Sequence, residues 1–243
     1  MITIYGRMPV LEAVLDPRAV IEKVLVARGA HGEAIDRIVS AARERGVSVE
    51  MTDAQRVTRV SRNGRQDQGV VADIASPGLA SLDDWLAGHD GPVQLVLLDG
   101  LTNPANVGQV IRSAVAAGVD GVILPRFGSP EVGPLVVKAS AGIALFAPIL
   151  RAPASVDAAR TLRGAGVQLV GLAAGIGDDL WSAALPERVA FVFGNETGGV
   201  SPAVADLIGS WCSIPLAAGV DSLNVASAAA VLVFELARRR ALG

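Results

Sequence analysis

Three short segments in the second half of the chain place polar residues where an otherwise apolar sequence gives little reason for them. In NPANVGQVIRSAVAAG, Asn106 and Arg112 lie in a predicted helix whose other residues are small or apolar, among them Val110, Ile111, Ala114, Val115, Ala116 and Ala117. Residues 105, 108, 109, 112 and 116 share one helical face, which sets Arg112 alongside Gly108, where a ligand or another backbone can approach. A guanidinium buried on such a helix demands a partner, because an unpaired buried charge is very costly. The partner is either a carboxylate in a structural ion pair or a phosphate. Asn106 reads as the cap of that helix.

The second segment, VAFVFGNETGGVSP, runs from an apolar strand straight into Gly194, Asn195, Glu196, Gly198 and Gly199, then a helix start at Ser201-Pro202. It offers approachable backbone N–H groups for an anion or a nucleoside edge. A plain tight turn explains the glycines but not Glu196. The third segment, SIPLAAGVDSLNVASAAA, ends a short strand at Pro215 and opens a long Ala- and Val-rich helix. Ser222 reads as its N-cap. Asn224, in the first turn, must find a polar partner, either loop backbone or a group in a pocket.

Other chemistries are excluded by what is missing. No G-x-G-x-x-G follows the first strand of this half and no Gly-Lys-Ser/Thr occurs, so neither the dinucleotide fingerprint nor a P-loop is present. One cysteine, Cys212, and two histidines, His31 and His89, leave no structural zinc set and no disulfide framework, so no metal is expected.

These residues need elements to hold them. Near-continuous apolar strands are predicted at 94–98, 121–124, 168–172, 189–193 and 212–214, with helices near 106–117, 135–140, 155–164, 202–209 and 222–240. Strands apolar throughout are buried on both faces, which means a parallel sheet covered by helices. Ligands of such sheets sit beyond the carboxyl ends of the strands, so the loops after Leu98, Leu172, Phe193 and Ile214 converge on one edge. Residues 1–74 form a separate small α/β unit, with strands at 22–27, 47–51 and 69–74 and an amphipathic helix over 31–45. A Pro-, Gly- and Ser-bearing segment, 75–92, reads as a linker to the domain at 93–243.

The 243 residues are 51% hydrophobic and 19% charged, which excludes disorder. No uncharged apolar run reaches 18 residues, and Arg7 and Glu12 interrupt any signal-type N-terminus, so a cytoplasmic protein without membrane association is expected. The net charge of −3 argues mildly against a general nucleic-acid binder. However, Arg56, Arg59, Arg62 and Arg65 recur every three residues with no acidic residue between 54 and 66. That run either grips phosphates or is a solvated face in a composition rich in arginine. Arg238, Arg239 and Arg240 instead end a helix, where cations meet the negative end of the dipole.

The three segments resemble the ordered motifs of the SpoU (TrmH-type) RNA 2'-O-ribose methyltransferases. The layout is similar to the subgroup acting on guanosine of bacterial 23S rRNA, whose small N-terminal domain resembles ribosomal protein L30e. IYGRMPVLEAV and NGRQDQGVVADI match the ends of that domain. The resemblance implies a deep trefoil knot in residues 93–243, S-adenosylmethionine as cofactor, RNA as substrate and a homodimer whose site is completed across the interface. It carries catalytic roles to Arg112, Asn106, Glu196, Ser222 and Asn224. Cofactor contacts fall on Leu172, Ala173, Gly194, Asn195, Ile214, Leu216 and Leu223, and RNA contacts on Arg7, Arg56, Arg59, Arg62 and Arg65. Leu216 stands where the family usually has Met, Ala226 where it often has Ser, and Asp67 where relatives often carry His. Ribosomal RNA, transfer RNA and an antibiotic-resistance target all remain open as substrates. A non-catalytic RNA-binding protein is the rival of another class.

Overall fold

The computed structural model describes residues 2–75 and 79–242; Ser76, Pro77 and Gly78, part of the expected linker, lie outside them. In chain order the elements are β1 (Ile2–Tyr5), α1 (Arg7–Leu15), β2 (Ile21–Ala27), α2 (Glu33–Glu44), β3 (Ser48–Thr52), α3 (Ala54–Ser61), β4 (Val70–Ile74), β5 (Ala80–Ser81), α4 (Leu82–Ala87) and β6 (Val93–Leu98). There follow α5 (Pro104–Ala116), β7 (Gly121–Ile123), α6 (Pro134–Ala139), β8 (Ile149–Arg151), α7 (Ser155–Gly164) and β9 (Gln168–Leu172). The chain ends with β10 (Asp178–Asp179), β11 (Arg188–Phe193), α8 (Pro202–Ala205), β12 (Ser210–Ser213) and α9 (Val225–Leu242). Two compact units emerge: Met1–Gly78 with Val132–Phe146, and Leu79–Glu131 with Ala147–Gly243.

The first unit is a four-stranded sheet in the order β1-β4-β2-β3, in which only β2 and β3 run parallel, joined through α2. On one side Tyr5, Leu25, Ala27, Val57 and Val71 bury together under α3. Arg45 fastens the end of α1 and the turn after it, donating to the carbonyls of Val14 (2.8 Å), Asp16 (2.9 Å) and Ala19 (2.5 Å). The arginine run lies on α3, a helix absent from the expectation, although Asp53 caps it by accepting from Arg56 N–H at 2.8 Å. α1 was missed because its sequence is apolar almost all round and shows no helical stripe. The segment 132–146, expected as part of the C-terminal domain, packs in this unit, with α6 against β1.

The second unit is an eight-stranded, wholly parallel sheet, β10-β12-β9-β11-β6-β7-β8-β5. Leu95, Leu97, Ala190 and Val192 face α4, α7 and α8, where Leu82, Leu162 and Val204 are fully buried. α5 packs against α9. Residues 79–87, within the span expected as a linker, instead supply β5, paired to β8, and α4, anchored by Leu82 and Leu86. Their burial makes them part of this unit's core.

β12 lies between β9 and β10, which are consecutive in the chain, so residues 173–177 pass across β12. The crossing is tight. The crossing tolerates no side chain at Gly177, where a β-carbon would sit 1.9 Å from Trp211 O.

Candidate active site

At the carboxyl edge of this sheet a pocket of about 530 Å³ opens between three loops. Residues 172–176 follow β9, residues 193–200 follow β11, and residues 214–224 lead into α9. All seven residues expected to hold a cofactor line it: Leu172, Ala173, Gly194, Asn195, Ile214, Leu216 and Leu223. Glu196, Ser222 and Asn224 line it as well.

Local sequence explains each wall. A β-carbon on Gly194 would lie 2.0 Å from the Gly199 carbonyl carbon, so only glycine lets the turn fold back on itself. Asn195 holds that turn by accepting N–H groups from Thr197 (3.0 Å) and Gly198 (2.6 Å). Buried Asp99 ties the loop after β6 to the one after β11, accepting from Ser201 N–H at 2.6 Å.

Asn106, Glu196 and Asn224 form one hydrogen-bonded chain. Asn106 Nδ2 donates to Glu196 Oε1, and Asn224 Nδ2 donates to Asn106 Oδ1 at 3.3 Å. Residues 118 positions apart are thus brought together in one polar line, whose two outer members, Glu196 and Asn224, line the pocket while Asn106 lies outside its lining. Both expected helix caps are displaced by the residues that do the capping. Asn103, with Pro104 following, caps α5 through Ala105 N–H at 2.9 Å, which leaves Asn106 buried one turn in. Asn224 caps α9 through Ala226 N–H at 2.9 Å, and Ser222 is exposed on the preceding loop.

Arg112 departs from expectation. It is exposed, it does not line the pocket, and among the described residues it makes no hydrogen bond or ion pair. No buried charge needs compensating, because α5 turns Ala105, Gln109, Arg112 and Ala116 outward while Gly108 is buried. In the first unit Arg59, Arg62 and Arg65 are exposed, whereas Arg56 is held by Glu50 (2.5 and 3.2 Å) and Arg7 by Gln68. Asp67 is buried and organises that loop, accepting from Thr58, Ser61 and Gly69 N–H.

Trp211, Ile176 and Ala228 also line the pocket and were not foreseen. Trp211 had one local signal, Gly171 opposite it in the ladder, where a β-carbon would fall 2.4 Å from the indole. Cys212 is not a nucleophile: burial pushes its thiol up to about 11. No cluster of three or more His, Cys, Asp or Glu residues placed to hold a metal occurs among the described residues.

Comparison with known proteins agrees with this geometry. The SpoU rRNA Methylase family matches residues 94–234, and a second description, RNA 2'-O ribose methyltransferase substrate binding, matches residues 3–79. The chain belongs to the SpoU rRNA methylase family. The 23S rRNA (guanosine-2'-O-)-methyltransferase RlmB of Salmonella typhimurium is 31% identical over 223 residues, covering 90% of each chain. That of Ralstonia nicotianae is 35% identical over 205 residues, 84% of this chain and 82% of its own. Among solved structures, the AdoMet-bound rRNA methyltransferase from Sinorhizobium meliloti is similar with a TM-score of 0.77 at 27% identity, covering 100% of this chain and 88% of that one. The SpoU methyltransferase AviRb from Streptomyces viridochromogenes, in complex with the cofactor AdoMet, is similar with a TM-score of 0.75 at 26% identity, covering 99% and 91%.

This SpoU enzyme is therefore an RNA 2'-O-methyltransferase that uses S-adenosylmethionine. The pocket fits that group: its size is in the range of small-molecule sites, its walls are apolar, and its polar atoms are few and convergent. The stretch after β10 is tied to α9. Arg239 Nη1 donates to Ala183 O (2.7 Å), Nη2 donates to Leu180 O, and Nε donates to Glu235 (2.8 Å). Hydrogen bonds from Arg238 and then Arg239 hold the Glu235 carboxyl down at about 2, so the brace stays charged throughout the neutral range. Arg240 donates to Gly118 O at 2.6 Å and to Ala117 O, so it caps α5 rather than its own helix. Arg239→Ala frees the carbonyls of Leu180 and Ala183; Leu180 N–H in turn holds Ser213 O (2.9 Å) next to Ile214 of the pocket, so methyl-donor affinity measured by calorimetry is expected to fall about tenfold, the scale of one or two lost charge-assisted hydrogen bonds.

Proposed function

We propose that the enzyme methylates the 2'-hydroxyl of a guanosine in 23S ribosomal RNA, acting as a cytoplasmic homodimer. The observation that carries the reading is the Asn224–Asn106–Glu196 chain, which brings Glu196 and Asn224 together in the lining of the pocket. The RlmB relatives supply the guanosine and the 23S rRNA. On this reading residues 1–74 of the small unit hold RNA, and exposed Arg59, Arg62 and Arg65 give them phosphate donors.

When bound, S-adenosylmethionine supplies an electrophilic methyl for in-line displacement. The protein's part is alignment and charge. Leu172, Ile214, Leu216 and Leu223 give an apolar seat, and Gly194 opens the backbone beside it. The Asn224–Asn106–Glu196 chain fixes the polar groups of Glu196 and Asn224 in the pocket lining, and alignment of this kind supplies several kcal/mol. Arg112 clamps the RNA phosphate and stabilises the developing alkoxide. It is not the base, because a guanidinium stays protonated in proteins; the proton leaves through another group or water.

The exposure of Arg112 on α5 and of Phe234 on the adjoining α9 supports a dimer in which Arg112 serves the neighbouring copy's pocket. Mapping 2'-O-methyl groups in RNA from cells with and without the gene tests the substrate. One guanosine of 23S rRNA is expected to lose its methyl group. Loss at a transfer RNA position instead would refute the assignment, and absence of S-adenosylmethionine binding by calorimetry would favour a non-catalytic RNA-binding protein.

A further inference from the structure

The loop after β7 is built with unusual care for a connection that presents a bare aromatic ring. Its floor is Arg151, buried on β8, whose Nη1 donates to Leu124 O at 2.9 Å at the start of the loop. Arg151 Nη2 donates to both oxygens of Glu131 (3.3 and 3.2 Å) at its end. Burying a guanidinium is costly unless its donors are used, and here they clasp both ends of one loop. The backbone is pinned as well: Arg126 N–H donates to Ala152 O (2.9 Å) and Phe127 N–H donates to Pro153 O (3.0 Å), which continues the β7–β8 ladder. On this fixed ledge the Phe127 side chain is 75% exposed, and Arg126 beside it is exposed too.

The ledge stands at the carboxyl edge of the sheet, near the pocket. A β-carbon on Gly128 would lie 3.9 Å from the Gly100 Cα, and one on Gly100 would lie 3.4 Å from Asn195 Nδ2, which lines the pocket. A chain with so few aromatic residues gains nothing in stability from a phenyl ring held in water.

We propose that Phe127 is a stacking platform for an unpaired base of the RNA substrate next to the methylated nucleoside, with Arg126 against the adjoining phosphate. Unstacked bases are held on aromatic faces in single-stranded RNA recognition, and the neighbouring cation is what a phosphate requires. A preorganised ledge recovers more of the stacking energy, because no loop has to be ordered on binding. The inference rests on the RNA-methyltransferase reading and adds a subsite to it.

The test is steady-state methyl transfer to ribosomal RNA from cells lacking the gene. Phe127→Ala is expected to raise KM for RNA about tenfold, within the range of one lost base stack, while methyl-donor affinity by calorimetry stays at the wild-type value. Phe127→Trp restores the low KM, whereas Phe127→Leu, apolar but without an aromatic face, does not. An unchanged KM in Phe127→Ala, or a wild-type KM in Phe127→Leu, overturns the proposal while leaving the enzyme's activity established. A shift of Phe127→Ala from dimer to monomer in sedimentation also overturns it, since the ring would then cover a second copy of the chain. A wild-type enzyme that methylates no RNA overturns the underlying reading instead.

Discussion

Arg112→Ala is expected to lower methyl transfer by about 10²–10³-fold, the usual cost of removing a donor aimed at developing charge, with S-adenosylmethionine affinity within about twofold of wild type. The dissociation follows from where the residue stands. Arg112 is outside the pocket, exposed, and bonded to nothing else described in its own chain, so its loss removes no wall of the cofactor site. The same position makes a sharper prediction. If Arg112 serves the neighbouring copy, a chain lacking it keeps a sound pocket, and a chain with a spoiled pocket keeps a sound arginine. Gly194→Ala spoils the pocket, because its β-carbon would fall on the backbone of Gly199 and Val200. Each variant alone is inactive. Co-expressed in equal amounts, half the dimers are mixed and each mixed dimer has one competent site, so about a quarter of wild-type activity returns. No recovery would place Arg112 in its own chain's site, and lost donor binding in Arg112→Ala would make its role structural.

How far this site could be read without coordinates depends on how local each signal is. Gly194, Asn195 and Glu196 are contiguous and follow the unbroken apolar run 189–193, so their place at the sheet edge follows from pattern alone. Asn224 is legible as a polar residue needing a partner, but not that Asn106, which reads as a cap, is that partner. The caps were misread by two or three residues in each case, because Asn103-Pro104 and Asn224 are no louder in sequence than Asn106 and Ser222. Arg112 was read as buried because the apolar count of α5 is high; the helix packs that surface on one side and turns a narrow face of Ala, Gln and Arg outward. The two-residue strands β5 and β10 carry no periodicity to detect, and the Arg151 clasp joins residues 20 and 27 positions apart. Least legible was Trp211, whose place in the pocket is set by the crossing of residues 173–177 over β12.

That crossing yields the largest expected effect on folding. Gly175 and Gly177 lie in the same five-residue segment and both adopt left-handed backbone, with φ of 67° and 77°. They differ in surroundings. A β-carbon on Gly175 meets nothing within 4 Å, whereas one on Gly177 would lie 1.9 Å from Trp211 O and 2.3 Å from its carbonyl carbon. Alanine at Gly175 therefore costs only the left-handed conformation, about 1–2 kcal/mol, or a few degrees of Tm in a protein of this size. Alanine at Gly177 carries that same cost and must also push two backbone segments apart. The displaced atoms belong to Trp211, whose ring lines the pocket, and to the strand that pairs Asp178 with Cys212. No side-chain rotation relieves a contact with a carbonyl group, so the chain either loses β10 or lifts the loop away from the pocket. Thermal unfolding is expected to show a drop in Tm at least twice that of Gly175→Ala, accompanied by loss of S-adenosylmethionine binding that Gly175→Ala does not show. Equal Tm shifts in the two variants would mean that the crossing has room to spare, and that something other than this close approach shapes the pocket wall.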